Sequence, residues 1–154
     1  MSGSLQETYA PDSLCFGCGP RNDRGLRVRS FPVNEDTCVC RWRPEAHHLA
    51  YPGGLNGGIC GAVLDCHSNW TAAWHLMSTA RAAAPPCTVT AEFTVKLRKP
   101  TPMHVELLVE ARVVDAGSNR IAVEAFIEAD GKVTATCRGT FVAVHEGHPA
   151  FHRW

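Results

Sequence analysis

The sequence lacks any surplus of charge. Its 154 residues include 15 lysines and arginines and 15 aspartates and glutamates. Nucleic acids and anionic membranes attract proteins chiefly through basic patches, and a balanced chain has no bulk charge for either. We therefore expect no nucleic-acid partner and no membrane partner, and an anionic ligand would need a local basic cluster.

Long apolar runs and an export signal are also lacking. Asp65, His67 and Asn69 interrupt the best helical stretch, which is therefore not a candidate membrane span. The first residues, MSGSLQE, have neither the basic nor the apolar region of a signal peptide. These features predict a cytoplasmic protein, whose eight cysteines are expected to be reduced thiols.

Internal repeats and low-complexity segments are missing from the sequence as well. With 45% hydrophobic and 19% charged residues, the chain has the composition of one globular domain. We expect a loose lead-in with a CxxCG turn over residues 1–25. The folded domain is expected over residues 26–145, followed by an irregular tail over residues 146–154.

The apolar pattern predicts one long helix and several strands. Short strands are expected over residues 26–33 and 37–42, and apolar steps of three and four predict a helix over residues 56–78. Beyond it, apolar and polar residues alternate over four further stretches. The first of these would place five apolar side chains on one face: Val89, Ala91, Phe93, Val95 and Leu97. This order predicts an α+β domain, with the helix laid across a mainly antiparallel sheet of five to six strands.

Asp65 is the residue of the helix that most suggests chemistry. At about 100° per residue it lies off the apolar face, on a stripe of small or polar residues that includes Ser68 and Asn69. Few charges occur on any side of this helix, so protein is expected to surround it. A partly buried carboxylate is suited to act as a general base. The alternative is a structural carboxylate paired with an arginine.

The start of the helix, Asn56-Gly57-Gly58, is a second candidate site. The first N–H groups of a helix have no partner within it and carry the positive end of its dipole. They could stabilise the oxyanion that develops on a carbonyl under attack, and the Asn56 side chain could add a donor. Alternatively, Asn56 is only an N-cap and the glycines only form a turn.

Several stretches together resemble the hotdog-fold thioesterases of the phenylacetate-degradation type. They are CFGCGP at 15–20 with Asn22 and Gly25-Leu26, YPGGLNGGI at 51–59, LDCH at 64–67 and KPTP at 99–102. The similarity extends over residues 15–144. It implies a hotdog fold, in which a sheet wraps the central helix and two protomers pair their sheets edge to edge. A homodimer or homotetramer without a cofactor is the expected form.

The resemblance also implies roles for individual residues. Asp65 would act as general base or nucleophile, and the N–H of Gly57 would polarise the thioester carbonyl. The active site is expected between subunits, so Asp65 of one chain would work with Asn56 and Gly57 of its partner. Many relatives begin the helix with His-Gly-Gly, whereas this chain has Asn56. Asparagine donates a hydrogen bond but cannot deliver a proton near neutral pH.

Further residues are expected to contact an acyl-CoA or acyl-carrier substrate. Gly58, His48, Ser68 and Asn69 are predicted to line the site. Arg98 and Lys99, at the end of a strand, are predicted to meet CoA phosphates, although basic residues at strand ends are usually only solvated.

Cys15 and Cys18 have the CxxC spacing of a zinc knuckle or a redox pair. No second CxxC follows, and a Cys₂His₂ site would need distant ligands such as His47 and His48. We interpret the motif as a packed turn and expect no metal. Cys66 is interpreted as core packing.

Two other functions compete with a thioesterase. A hotdog hydratase would want a histidine five positions after the aspartate, where this chain has Trp70. A non-catalytic acyl-CoA or acyl-carrier binding protein is the stronger alternative, because the histidine before Gly57 is missing. The sequence does not reveal the acyl group.

Overall fold

The structure, a computed structural model, describes residues 2–152 and residue 154. The elements follow one another in this order: α1 (Leu5–Tyr9), β1 (Phe31–Pro32), β2 (Thr37–Trp42), a 3-10 turn (Ala46–His48), β3 (Leu49–Tyr51), β4 (Gly54–Leu55), α2 (Gly57–Ala80), β5 (Thr88–Leu97), β6 (Leu107–Ala116), β7 (Arg120–Ala129) and β8 (Lys132–Ala143). The predicted long helix and the four long strands after it are confirmed.

Six strands form one antiparallel sheet in the order β1-β2-β6-β7-β8-β5, and β3 pairs separately with β4. Helix α2 packs against β2, β5, β6, β7 and β8. This arrangement confirms the predicted α+β architecture. The last position in the order makes β5 an edge strand, paired only with β8.

The core lies between α2 and the inner face of the sheet. Its largest fully buried side chains include Trp70 and Leu64 of the helix and Phe141, Ile121 and Leu107 of the strands. Helix α2 ends at Arg81, whose φ of 51° is left-handed and whose N–H closes the last turn on Met77 and Ser78. The alanines and the Pro85-Pro86 pair after it carry the chain across to β5.

An irregularity in β5 corrects the predicted alternation of its side chains. Thr90 pairs with Phe141 and Glu92 with Thr140, so Ala91 is an extra residue in the strand. One extra residue reverses which side chains face the helix. Strict alternation predicts Thr90 on the solvent-facing side of the strand. Because of the extra residue, Thr90 lies on the inner face of the sheet instead.

The expected strand over residues 26–33 forms only at Phe31–Pro32. Arg27 has a φ of 59°, and a left-handed residue interrupts extended backbone. The stretch between β2 and α2 contains the 3-10 turn and the β3–β4 pair.

The start of the chain is packed, which corrects the expectation of a loose lead-in. Ser4 and Glu7 cap α1 reciprocally: the Ser4 Oγ accepts the Glu7 N–H at 3.2 Å, and the Glu7 carboxylate accepts the Ser4 N–H at 3.0 Å. Leu5, at the start of α1, is 1% exposed and joins the core. The Gln6 side chain donates to the Ser30 Oγ at 2.9 Å, which ties α1 to the segment before β1.

Among the residues that the structure describes, no helix is both long enough and apolar enough to cross a membrane.

We expect Phe141→Ala to lower the free energy of unfolding by about 3–5 kcal/mol, because it removes a fully buried ring from the inner face of β8. Phe31→Ala is the matched control: its ring is 41% exposed, and we expect a loss below about 1 kcal/mol. Denaturant unfolding of both variants measures the difference. Equal losses would mean that Phe141 is not a core residue.

Candidate active site

Asn56 begins α2 as its N-cap. Its Oδ1 accepts the N–H of Ile59 at 3.1 Å, and its own N–H donates to the His48 carbonyl at 3.0 Å. The cap interaction uses Oδ1, so the Nδ2 group keeps its hydrogens for another acceptor. The N–H groups of Gly57 and Gly58 follow directly and precede the first bonds within the helix. The structure thus forms the predicted donor-rich helix start.

Gly57 allows close approach to this backbone. A Cβ at Gly57 would lie 2.6 Å from Cδ1 of Leu97, the last residue of β5. The Leu97 side chain, itself 58% exposed, lies against the start of the helix. The N–H of Gly57 is therefore bordered by an apolar side chain, the kind of contact that an acyl chain requires.

Asp65 lies half-buried on the side of α2 that faces β5. The Thr90 hydroxyl donates to its Oδ1 at 2.6 Å, a short hydrogen bond that fixes the carboxylate. Burial, and after it the negative charge of Asp65, raises the pKa of Cys137 on β8 to about 11. Asp65 is therefore close to β8 as well as to β5.

A ridge of α2 residues four apart runs along β5, and we call it the edge ridge. It consists of Gly57, Gly61, Asp65 and Asn69. Each member meets β5 in turn: Gly57 meets Leu97, Gly61 meets Phe93 and Val95, Asp65 meets Thr90, and Asn69 meets Thr88. The strand thus runs antiparallel to the helix, and Asp65 lies at the free edge of the sheet.

Ser68 and Asn69 were predicted to line an open site, but their residues are 0% and 4% exposed. The Asn69 amide donates to the Thr88 carbonyl at 3.3 Å. Ser68 Oγ and Asn69 Oδ1 have no hydrogen-bond partner among the described residues. At three and four positions after Asp65, both residues share its side of the helix. Their setting is thus an interior wall rather than an exposed lining.

His48 and Gly58 differ in their setting. The His48 ring is buried against Trp42, with ring centroids 5.3 Å apart, and its Nδ1 accepts the Glu45 N–H at 2.9 Å. Burial, and then the neighbouring His47, lowers the pKa of His48. The histidine supports the loop that holds Asn56. Gly58 is exposed at the helix start, beside the Asn56 Oδ1.

Arg98 and Lys99 lie exposed just after β5. The Arg98 Nε donates to the Thr136 Oγ1 at 3.0 Å, which directs the side chain over the outer face of the sheet. That face has a depression of about 710 Å³ with Arg98 in its lining. Its charges are mixed, and Arg138 donates to Glu124 at 2.7 Å. Asp65 lies on the other side of the sheet, so we do not assign the active site to this depression.

Two contacts escaped the sequence analysis. Thr90 was placed on the wrong face because nothing in the local pattern announces the extra residue at Ala91. Cys66, interpreted as core packing, lies 3.8 Å from Cys15 between the sulfur atoms. No spacing rule connects a CxxC motif to a helix cysteine 48 residues later.

His67, which follows Cys66, is part of a separate buried network. Its Nδ1 accepts from the Ser30 hydroxyl at 2.8 Å, and its Nε2 donates to the Cys38 carbonyl at 3.1 Å. Burial lowers the pKa of His67 to about 4. A neutral ring with both nitrogens occupied has a structural role, and two positions along the helix place His67 on a different face from Asp65.

The helix start and the carboxylate are too far apart to act on one carbonyl group within one chain. Gly57 and Asp65 are eight residues apart, and a rise of about 1.5 Å per residue separates them by about 12 Å. A base and an oxyanion donor must both lie about 3 Å from the reacting atoms. A complete site from these groups therefore requires a second chain.

Comparison with known proteins supports the fold and gives the family. The family model described as Thioesterase superfamily matches residues 55–136, more than half of the chain. Among curated proteins, none matches.

Solved structures show the same fold. A thioesterase superfamily protein, RHA08564, is 21% identical with a TM-score of 0.69; the alignment covers 83% of this chain but only 62% of that longer one. The PaaI protein of the phenylacetic acid degradation operon of E. coli is 16% identical, with a TM-score of 0.67 over 78% of this chain and 81% of PaaI. The smu.793 protein of Streptococcus mutans, solved with acetyl-CoA, is 15% identical, with a TM-score of 0.64 over 76% and 88% of the two chains.

The single helix against an antiparallel sheet, the donor-rich helix start and the family match lead to one conclusion: this chain belongs to the thioesterase superfamily and has the hotdog fold, as its resemblance to the PaaI-like proteins predicted.

Proposed function

We propose that this protein hydrolyses acyl-CoA thioesters at a site shared by two copies of the chain. The observation that carries the proposal is the edge ridge, which holds Asp65 and the start of α2 about 12 Å apart along the free edge of the sheet. The acetyl-CoA in the Streptococcus mutans relative supports a CoA ester as the substrate class.

Strand β5 offers the surface on which the two copies would pair. It is ten residues long, lies at the edge of the sheet and exposes Phe93 at 41% and Leu97 at 58%. A long edge strand with unpaired backbone groups and exposed apolar side chains favours pairing with another chain. Pairing two β5 strands around a two-fold axis would satisfy these groups and bury both side chains.

The edge ridge indicates where the two-fold axis should lie. Gly61 is midway between Gly57 and Asp65 and packs on Phe93 and Val95 of β5. In an antiparallel pair centred near these two strand residues, Gly57 of one copy lies opposite Asp65 of the other. Gly57 and Asp65, about 12 Å apart within one chain, would then be close to each other across the two chains.

In the proposed reaction, the Gly57 N–H and the Asn56 Nδ2 group of one copy hold the thioester carbonyl oxygen. Asp65 of the other copy accepts a proton from water as the water oxygen attacks the carbonyl carbon. The tetrahedral intermediate then expels the CoA thiolate as its C–S bond breaks. A thiolate leaves without prior protonation, so the absence of a histidine before Gly57 does not prevent the reaction.

Residues near Asp65 would position the reacting groups. Thr90 is a positioning residue, because its hydroxyl donates to Oδ1 of Asp65 and fixes the direction of the carboxylate. Buried polar atoms normally have a hydrogen-bond partner. Ser68 Oγ and Asn69 Oδ1 are buried without a partner among the described residues, and we keep these residues in the proposed site as the wall behind Asp65. Gly58 stays in the site as part of the helix start, while His48 acts through Asn56.

The alternative is a protein that binds acyl-CoA or an acyl carrier without cleaving it. Asn56 in place of histidine is the feature that favours it. Calorimetric titration with short, medium and aryl acyl-CoA esters, beside a thiol-release assay on the same esters, separates the two functions. Binding without thiol release would identify the non-catalytic protein. Turnover of one class would support the enzyme and define its acyl group.

Asp65→Asn tests the proposed base. We expect Asp65→Asn to lower kcat/KM for thioester cleavage by at least about 100-fold, because an amide cannot accept the proton of water. The control is Asp115→Asn on the exposed end of β6, which should leave the rate unchanged. Equal rates for wild type and Asp65→Asn would remove Asp65 from the mechanism.

Gly57→Pro tests the N–H of Gly57 as the oxyanion donor. Proline is accepted at the first position of a helix, and the φ of −59° and ψ of 129° at Asn56 suit a residue before proline. Gly57→Pro deletes only the N–H, and we expect kcat to fall by about 100-fold or more. Gly57→Ala keeps the N–H and adds the Cβ that presses on Leu97, so it controls for bulk. Similar losses in both variants would assign the effect to crowding instead.

Mixing these variants shows whether the site is shared. A dimer of one Asp65→Asn chain and one Gly57→Pro chain has one doubly defective site and one intact site. Equal mixing after subunit exchange should restore about a quarter of wild-type activity from two inactive proteins. If the mixture stays inactive although native mass spectrometry detects mixed dimers, each site lies within one chain.

Asn56→Asp separates the two roles of Asn56, which are to cap the helix and to donate to the oxyanion. Asn56→Asp keeps the N-cap and suits the helix dipole, so stability should stay within about 0.5 kcal/mol of wild type. It replaces the amide donor with a carboxylate that repels the oxyanion, and we expect kcat to fall at least about tenfold. Thermal unfolding and steady-state kinetics on one preparation test this pair. Unchanged kcat would restrict Asn56 to capping.

A further inference from the structure

Three cysteine sulfur atoms converge beside α2, and we call them the thiol cluster. The Sγ atoms of Cys15, Cys18 and Cys66 lie within 4.8 Å of one another, and those of Cys15 and Cys66 are 3.8 Å apart. The first two come from the CxxC motif of the N-terminal segment, and the third comes from the middle of α2. No other group of three cysteine, histidine or carboxylate side chains gathers in this way in residues 2–152.

The glycines of the CFGCG motif make the convergence possible. A Cβ at Gly17 would clash with the Cys66 sulfur, so only glycine lets the turn come this close to the helix. A Cβ at Gly19 would clash with the backbone of Ser13 and Cys15, and the Gly19 N–H closes the turn on the Cys15 carbonyl at 2.8 Å. The motif therefore forms a knuckle whose concave side faces Cys66.

Hydrogen-bond donors lie beside the thiol cluster. The Trp70 Nε1 donates to the Cys18 sulfur at 3.3 Å. Arg29 donates to the Cys18 carbonyl at 3.0 Å, with a side chain only 16% exposed. A guanidinium beside a cluster of thiols offsets the charge of their thiolate forms.

The distances suit a tetrahedral metal better than a disulfide. Zinc binds thiolates at about 2.3 Å, so two sulfur ligands of a tetrahedral ion are about 3.8 Å apart. The distance between Cys15 and Cys66 matches this edge. A disulfide would join two of the sulfur atoms at about 2.05 Å and leave the third buried beside them without a role.

We propose that Cys15, Cys18 and Cys66 bind one zinc ion as thiolates, with a solvent molecule as the fourth ligand. Each thiol gives its proton to solvent on binding, and no atom changes oxidation state. Three thiolates and one divalent ion leave a single negative charge, and the Arg29 guanidinium donates to the backbone carbonyl of one ligand, Cys18. This site revises the expectation that the chain binds no metal, with Cys66 rather than His47 or His48 completing the CxxC pair.

The proposed zinc would clamp the N-terminal segment to the helix that carries Asp65. Cys66 follows Asp65 directly but lies about 100° around the helix, so the ion faces the knuckle and not the edge ridge. The role is structural, because the zinc is on a different side from the proposed thioester. It does not depend on the proposed hydrolysis, and either proposal can fail alone.

Zinc content of the full-length protein, purified without a metal-affinity step and measured by inductively coupled plasma mass spectrometry, tests the proposal. We expect about one zinc per chain in the wild type and in Cys60→Ser, a control on the same helix outside the thiol cluster. Cys18→Ser and Cys66→Ser should each lower the zinc content at least about tenfold. Equal zinc content in all four proteins would place the metal elsewhere and overturn the proposal.

A second measurement uses only the wild type, in case the serine variants do not fold. Protein stripped of zinc and titrated with Co²⁺ should show thiolate-to-cobalt charge-transfer absorption that saturates at about one equivalent, and a chelator should lower its Tm. Intact mass under native conditions distinguishes zinc binding from disulfide formation. Failure to take up Co²⁺ or Zn²⁺, or the loss of two hydrogens that marks a disulfide, would overturn the proposal.

Discussion

The contact between α2 and the edge strand β5 is the constraint on which the site depends. Glycine at 57 lets the helix start approach Leu97 closely, and the extra residue at Ala91 turns Thr90 inward to meet Asp65. Without the bulge, the apolar Val89 and Ala91 would face the helix, and the carboxylate would lose its hydroxyl donor. The same contact keeps Asp65 at the free edge of the sheet, where another chain can reach it.

Helix α2 has no charged residue besides Asp65, yet it buries several polar side chains. Part of the cost of burial is offset locally: His67 is bonded to Ser30 and Cys38, and the Asn69 amide donates to Thr88. The low pKa of His67, about 4, reflects a ring kept neutral by burial. Polar groups in this helix therefore link it to specific strands and segments, and they set its position more closely than an apolar surface alone would.

One helix thus has different roles around its circumference. The edge ridge faces β5, a second side with Trp70 enters the core, and the side of Cys66 meets the CFGCG knuckle. All three sides belong to one rigid helix. Contacts between the N-terminal segment and α2 therefore also fix the position of Asp65. The packed start of the chain, from the capped α1 to the knuckle, supports the site although it lies outside the region that the family model matches.

The sequence by itself determined the long helix and the antiparallel strands after it, and it marked Asp65, Asn56 and Gly57 as candidate residues. Those features depend on local periodicity and capping, which neighbouring residues express directly. Only the tertiary structure decided that Thr90 holds Asp65, that Ser68 and Asn69 are buried, and that Cys66 joins Cys15 and Cys18. A strand bulge and a meeting of residues 48 positions apart arise from packing between elements, and no local pattern encodes them.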